Sequence, residues 1–401
     1  MFEIKKAVST FMSKLENNEN PSFEQQIKNL LKVRKGGLSD ITKQKNIFKR
    51  IGKKDIIAFD LGRFSTKVVV FKRHNNELKI KKILTIENEY DMTNLEPSNF
   101  THWKEKIKTN LEKNGILLKK QFAMCSLSRK DYIGRVIDIP FIEGEDLDGL
   151  VSFEMCKLLS LDNDKYLFQY DVKKRYTKDD KEMCVVFAVA VAKSICEIYY
   201  NLFSELGMRP LLLDIDIKGL ERAVTEDDVI HEVAKDKAIA FIDFGSLDTG
   251  IAIFNKGNLV QAQRISGGGD DLTVAVKNYL GEEVVDRKNP SKIIIAPQQV
   301  HDIIHDPNGA ELKQEFENWI SEINSYIKRY NLYRPNEEVK HIYVVGGNPQ
   351  IIWIKLYLEK YLQVPVQTID FFANLQNQTV LEKEQINIAT YANVLGLLLV
   401  K

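Results

Sequence analysis

Cysteine is scarce in this chain. Cys125, Cys156, Cys184 and Cys196 are the only four among 401 residues, and no two form a C-x-x-C pair. That scatter argues against a structural zinc or a disulfide framework and suits reduced core thiols in a cytoplasmic protein. Long apolar runs are missing too. The longest, Cys184 to Ala192, is about half of the roughly 20 residues a spanning helix needs. Nor does the start read as a secretory signal: Lys5 and Lys6 are followed by Ser9, Ser13, Lys14 and Glu16, not by a continuous apolar region. The sequence contains no G-x-x-x-x-G-K-[ST] loop, which excludes a P-loop enzyme. No G-x-G-x-x-G with a strand–helix–strand unit and ribose acid is present, which disfavours a dinucleotide-binding fold. His301 and His305 are four apart but have no convincing third ligand, so a solvated helix face is the expectation there. No Ser/His/Asp or Cys/His set stands out. The three tryptophans, Trp103, Trp319 and Trp353, fall in helical periodicity and read as core or interface anchors.

What is present is an ordinary globular composition, 44% hydrophobic and 28% charged. A chain of 401 residues exceeds what one hydrophobic core usually serves, so two or more lobes are expected. The net charge of +1 hides an asymmetry. Residues 1–54 hold 13 Lys and Arg against 5 Asp and Glu, a net of +8, which leaves −7 for the rest. This arm has apolar residues at helical spacing (Ile4, Ala7, Val8, Phe11, Met12, Leu15; then Phe23, Ile27, Leu30, Leu31) and ends in a basic joint at Lys32–Gly37. It reads either as an amphipathic segment for an anionic membrane face or a partner, or as a basic tail that keeps the protein soluble.

From Asp55 the pattern becomes strand-rich, and one shape occurs twice. Ile57-Ala58-Phe59-Asp60-Leu61-Gly62 and Ala240-Phe241-Ile242-Asp243-Phe244-Gly245 are apolar runs ending in Asp, an apolar residue and Gly. Each turns into a second β-rich run, Thr66–Phe71 or Thr249–Phe254. Strand, acid, glycine turn, strand is a β-hairpin with a carboxylate at its tip. Strands at 56–61, 66–71 and 77–86 form a meander repeated at 238–243, 249–254 and 258–265. Between them the sequence predicts a helix at 103–114, strands at 121–127 and 134–139, and a helix at 144–159. A strand pair at 166–176 and 183–192 follows, with a polar turn at 177–182, then a helix at 194–206 and a strand at 209–216. After the second meander come helices from Asp270 and at 307–330, a strand at 341–345, a helix at 350–361 and a short strand at 364–366. The duplicated meander points to two lobes of related architecture.

Two such tips facing each other would hold a polyphosphate from both sides. The N–H groups around each turn would meet phosphate oxygens, and Lys67 would add a point charge. Asp60 and Asp243 are the expected catalytic acids and would hold Mg²⁺ through water, since that ion retains several of its waters. The first hairpin offers Gly62, Arg63, Ser65 and Lys67 to the nucleotide, and the second offers Gly245, Ser246 and Thr249. A third site, Ser266-Gly267-Gly268-Gly269-Asp270-Asp271, ends a strand and opens a helix. Its glycines allow close approach to a ligand, while its two acids partly cancel the anion attraction of a helix N-terminus. The fourth is Val344-Val345-Gly346-Gly347-Asn348-Pro349, a buried strand running into two glycines and a helix, where backbone could lie flat against a base or sugar.

In that order, these sites resemble the nucleotide-binding signatures of the actin/Hsp70/sugar-kinase superfamily. Within it the chain most resembles the PilM family of type IV pilus assembly, relatives of the division protein FtsA, over roughly residues 55–400. Asp60-Leu61-Gly62 with Ser65 and Lys67 is similar to the first phosphate motif, Asp243-Phe244-Gly245 with Thr249 to the second, Gly268-Gly269 with Leu272-Thr273 to the glycine loop, and Val345-Gly346-Gly347 to the adenosine motif. Asp138-Ile139-Pro140 and Tyr170-Asp171-Val172 resemble the inserted subdomain, and Tyr391–Leu397 the final helix. Arg63 and Phe64 stand where the family is usually small, and the 1–54 arm is longer than is typical. The resemblance implies an α/β, two-lobed actin-like ATPase fold of duplicated ribonuclease H-like halves. Its first lobe would span 55–134, with an FtsA-type insertion at 135–206 and returns at 207–236 and 376–401; the second lobe would span 237–375. It also implies ATP and Mg²⁺ as cofactors, at most slow hydrolysis, and no nucleic acid. The implied partners are the cytoplasmic N-terminal peptide of a PilN-like inner-membrane protein and the pilus motor ATPase complex, at the inner face of the cytoplasmic membrane and in the service of twitching motility. Self-association is a further expectation. Two competing readings remain at this point, an FtsA-like membrane-associated filament protein and a small-molecule kinase; the latter would need a general-base Asp such as Asp138 or Asp216.

Overall fold

The run Ile56–Leu61 (β1) is buried at every position, and a strand buried on both faces needs a neighbour along each edge to satisfy its backbone. It finds Ser65–His74 (β2) antiparallel on one side and Phe122–Leu127 (β4) parallel on the other. Glu77–Glu87 (β3) extends the meander beyond β2. The helix Pro97–Lys113 (α1) carries the chain across to β4. In this computed structural model the described residues are 54–63, 65–74, 77–88, 97–142, 145–280, 285–286, 289–293, 310–346, 351–369 and 388–400. Residues 1–53 of the basic arm, Phe64, His301, His305, Gly347 and Asn348 therefore lie outside them.

After β4 the chain leaves this sheet. Tyr132–Pro140 (β5), Glu145–Leu159 (α2), Tyr166–Lys178 (β6) and Lys181–Ala192 (β7) form a three-stranded sheet of order β5-β7-β6 with one helix. Strand β7 alternates between two cores, as a period of two requires. Cys184, Val186, Ala188 and Ala190 pack with Leu147, Val151 and Met155 of α2, while Phe187, Val189 and Val191 join the main core. Helix Lys193–Glu205 (α3) returns the chain to Arg209–Ile215 (β8), which completes a first sheet of order β3-β2-β1-β4-β8. Helices Asp216–Glu226 (α4) and Asp228–Ala234 (α5) follow.

The second half repeats the plan. Ala238–Phe244 (β9), Asp248–Asn255 (β10) and Asn258–Ser266 (β11) make the meander. Next come Gly269–Leu280 (α6), a small pair Val285–Asp286 (β12) and Asn289–Ile293 (β13), and the long helix Ala310–Tyr333 (α7). Val339–Gly346 (β14), Ile351–Leu362 (α8) and Val366–Thr368 (β15) give a sheet of order β11-β10-β9-β14-β15, the counterpart of the first. A 3₁₀ turn at Ile388–Tyr391 leads into Ala392–Leu398 (α9), which packs on the first half. One face of β9, Ile239 and Phe241, shares a core with the first sheet, and the other, Ala240, Ile242 and Phe244, packs under α7.

The duplication extends to single hydrogen bonds. Thr66 and Thr249 are the second residues of the two return strands, opposite Leu61 and Phe244, and both are fully buried. Trp103 of α1 donates its indole N–H to Thr66 Oγ1 at 3.3 Å, and Trp319 of α7 donates to Thr249 Oγ1 at 2.9 Å. A buried indole needs an acceptor, and each half supplies it at the same place. Trp103 and Trp319 are thus core anchors; the side chain of Trp353 is outside the described residues.

Several elements differ from expectation. Helix α1 begins six residues before Trp103 because Pro97 pre-sets the first helical turn, where no apolar periodicity is needed. The β6–β7 turn is two residues, not six: Asp179 and Asp180 both take positive φ (49° and 58°), the geometry of a tight hairpin turn. Helix α5 was not expected; the Asp227 carboxylate caps it by accepting from the N–H groups of Val229 and Ile230 at 3.1 and 3.0 Å. All four cysteines are free thiols. Among the described residues, no helix is long and apolar enough to cross a membrane.

Candidate functional site

Both hairpin tips open onto one cavity of about 500 Å³. It is lined by Asp60, Gly62, Arg63, Ser65 and Lys67 from the first tip, and by Asp243, Gly245 and Ser246 from the second. Gly269 and Gly346 also reach it, whereas Gly267, Gly268 and Thr249 are absent from its lining. Thr249 is turned away instead: it accepts from Trp319 and donates to the Gly267 carbonyl at 2.8 Å.

The two tips are built alike. Gly62 N–H donates to the Ser65 carbonyl at 3.1 Å, and Gly245 N–H donates to the Asp248 carbonyl at 3.0 Å. A Cβ on either glycine would lie 2.8 Å from that same carbonyl oxygen, closer than real Cβ contacts allow. The glycines are therefore needed to close the turns, and their N–H groups face the turn rather than a ligand. Each turn is then held from behind by the segment that follows its third strand. Asn88 donates its side-chain amide to the carbonyls of Gly62 and Arg63. In the second half, the N–H groups of Gly269 and Asp270 donate to the carbonyls of Gly245 and Ser246. The Gly268 N–H is taken by the Asp271 carboxylate at 2.9 Å. These early N–H groups of α6 thus fasten the glycine loop to the second hairpin.

Charge in the cavity is arranged as acid–base pairs. Lys67 Nζ lies 3.6 Å from Asp60 Oδ2, both side chains nearly buried. Burial pushes the Asp60 carboxyl above its ordinary value against the pull of Lys67, and the proximity of Asp243 adds to the push. Arg63 pairs across the cavity with Asp270, joining the first tip to the start of α6. The sequence reading had not singled out Arg129, in the loop between β4 and β5. Its Nε lies 3.2 Å from Asp216 Oδ2, and both side chains are buried. Asp216, the first residue of α4, also accepts a hydrogen bond from Tyr132 Oη. Burial drives its carboxyl up to about 6 although Arg129 opposes it. Asp138, by contrast, stands on β5, where it accepts from Tyr176 Oη, and is no part of this cavity's lining.

Two carboxylates lining one cavity, Asp60 and Asp243, could share a divalent cation. Among the described residues no three His, Cys, Asp or Glu side chains converge into a metal cage.

The family model of the type IV pilus assembly protein PilM matches residues 58–400. The chain belongs to the PilM family. A solved PilM-PilN type IV pilus biogenesis complex superposes with a TM-score of 0.68 at 14% identity, covering 86% of this chain and 97% of that one. MreB 5 of Spiroplasma citri bound to AMPPNP gives 0.44 at 12% identity, over 83% of this chain and 97% of that one. A Bacteroides thetaiotaomicron protein with actin-like ATPase fold and unknown function gives 0.43 at 10% identity, over 88% and 97%. No curated protein sequence matches the chain. The α/β actin-like fold expected from the sequence is the fold of this PilM family member.

Proposed function

We propose that this PilM family member is an ATP-binding adaptor of type IV pilus assembly. Its cleft takes ATP with Mg²⁺, and nucleotide occupancy sets the geometry between the two halves. That geometry in turn tunes binding of the cytoplasmic N-terminal peptide of a PilN-like inner-membrane protein. The supporting observation is the convergence of both hairpin tips, with Asp60 and Asp243, on one cavity. A solved relative described as a PilM-PilN complex supports the choice of partner. In this reading Asp60 and Asp243 hold the hydrated cation, Lys67 and Arg63 meet the phosphates, and Gly346 with Gly347 and Asn348 borders the adenosine. Bound Mg²⁺ would neutralise the phosphates and polarise them toward slow hydrolysis at most. The lobe boundaries given above, with the three-stranded sheet at 135–206 as the partner-binding insertion, belong to the same proposal. So do residence at the inner face of the cytoplasmic membrane, through the partner or the basic arm, and a link to the pilus motor complex and twitching motility.

The test is calorimetric titration of ATP with Mg²⁺ into the wild-type chain and its Asp60→Ala and Asp243→Ala variants. We expect each variant to lose at least about tenfold in affinity, the scale of one charge-assisted contact. Wild-type affinity in both would remove the clamp.

A further inference from the structure

The two hairpins differ at one matched position. In the first, Asp60 stands in register with Lys67, and the two form an ion pair. In the second, the residue in register with Asp243 is Gly250, so this tip carries no cation of its own there. The space that a side chain on Gly250 would fill is already taken: a Cβ there would lie 1.3 Å from Arg129 Nη1 and 1.9 Å from its Cζ. Arg129 belongs to the other half, in the loop between β4 and β5, and reaches across to lie over β10. Its side chain is only 9% exposed, yet Nη1 and Nη2 have no hydrogen-bond partner. Buried guanidinium N–H groups that go unpaired are costly. Arg129 and Gly250 both line the cavity. Besides Asp216, the field of Asp243 and Asp248 keeps the guanidinium charged despite its burial.

We propose that Arg129 is the cation of the second hairpin, supplied from the opposite half, and that its free Nη1 and Nη2 donate to the polyphosphate tail of a bound nucleotide. This deepens the proposed function and rests on its placing of a polyphosphate in this cleft. A guanidinium suits the role because its planar donor fork matches phosphate oxygens two at a time. It also links occupancy to apposition of the halves, because the ligand then touches a group that is rooted in one sheet and lies over the other.

The experiment measures binding of inorganic tripolyphosphate and of ATP, each with Mg²⁺, to four full-length chains: wild type, Arg129→Ala, Arg129→Ala/Gly250→Lys, and Arg129→Lys. Arg129→Ala is expected to weaken both ligands about ten- to a hundredfold, the loss of one or two charge-assisted hydrogen bonds. The double variant places a lysine where the first hairpin has Lys67, in the space the arginine has vacated. It should recover most of the lost affinity, with Arg129→Lys intermediate. A purely structural partnership of Arg129 with Asp216 predicts no such recovery. Unchanged affinity in Arg129→Ala, or a folded double variant that binds no better than the single one, overturns the proposal while leaving the cleft reading intact. A wild-type chain that binds neither ligand overturns both.

Discussion

Asp216 sits at the first position of α4 with its carboxyl buried, between the guanidinium of Arg129 and the hydroxyl of Tyr132. Burial raises it from 3.8 to about 6. The native state therefore binds this proton more tightly than the unfolded chain does. Its contribution is fully present below about pH 4, is lost as pH rises toward 6, and is flat beyond. Two units correspond to a span on the order of 3 kcal/mol. Urea unfolding from pH 4 to 7 should show wild type losing about that much relative to Asp216→Asn, since the amide does not titrate. Parallel pH profiles for the two chains would contradict the assignment. At this scale the site was partly legible. Asp60, Gly62, Asp243 and Gly245 were visible because turn chemistry is local. Arg129 was not, because a lone basic residue in a loop gives no sign of which cavity it enters, and only the vacancy over Gly250 explains its place. Thr249 read as a ligand contact and proved to be the acceptor for a buried indole, a role set by α7, seventy residues along the chain.

Helices α4 and α9 cross where two glycines meet, and the crossing is asymmetric. A Cβ on Gly396 would lie 2.5 Å from Gly219 Cα, whereas a Cβ on Gly219 would lie 3.2 Å from Gly396 Cα. Alanine gains roughly 1 kcal/mol of helix propensity over glycine at either site. Overpacking costs about 1–3 kcal/mol where the neighbour is backbone that must shift. Gly396→Ala is therefore expected to be clearly destabilising, and Gly219→Ala close to neutral. Thermal melts of the two variants check that order; equal melting temperatures would show that the helices separate freely. The junction has further ties: Arg222 of α4 pairs with Asp214 and donates to the Gly396 carbonyl at 3.0 Å, and Arg73 of β2 donates to the Leu398 carbonyl at 3.0 Å. The sequence exposed the elements better than their junctions. Both meanders were readable because strand burial leaves a continuous apolar run or a period of two. The Asp179-Asp180 turn was overestimated because polar strand ends resemble a loop. Gly219 and Gly396 carried no sign of mutual contact, since a glycine inside a helix looks the same whether or not a neighbour needs the room.

Helix α4 also connects the cleft to the three-stranded sheet. Its first residue, Asp216, lines the cavity, and less than two turns later Lys218 and Glu221 join Asp171 and Lys173 of β6 in a buried cluster of four charges. Although burial pushes Glu221 upward, Lys218 and Lys173 bring it down to about 2, so Glu221 stays ionised at neutral pH. If nucleotide moves Asp216 and the partner peptide engages the three-stranded sheet, α4 is one physical route between the two events, because it touches both. Allosteric coupling is typically about 1–3 kcal/mol, a five- to 150-fold change in affinity, and it is reciprocal. The prediction is that ATP changes peptide affinity in the wild-type chain and that peptide changes ATP affinity by the same factor. Lys218→Met with Glu221→Leu should bring that factor close to one while each ligand alone binds within about threefold of wild type. Replacing the buried pair by apolar residues of similar size, with Asp171 and Lys173 left to each other, avoids stranding a charge. Titrating the peptide with and without ATP, for both chains, closes the cycle that such a coupling claim requires. A double variant that keeps the full wild-type factor would place transmission outside α4, leaving the cross-cleft contacts of Arg63 with Asp270 and of Arg129 with the second hairpin as the remaining route.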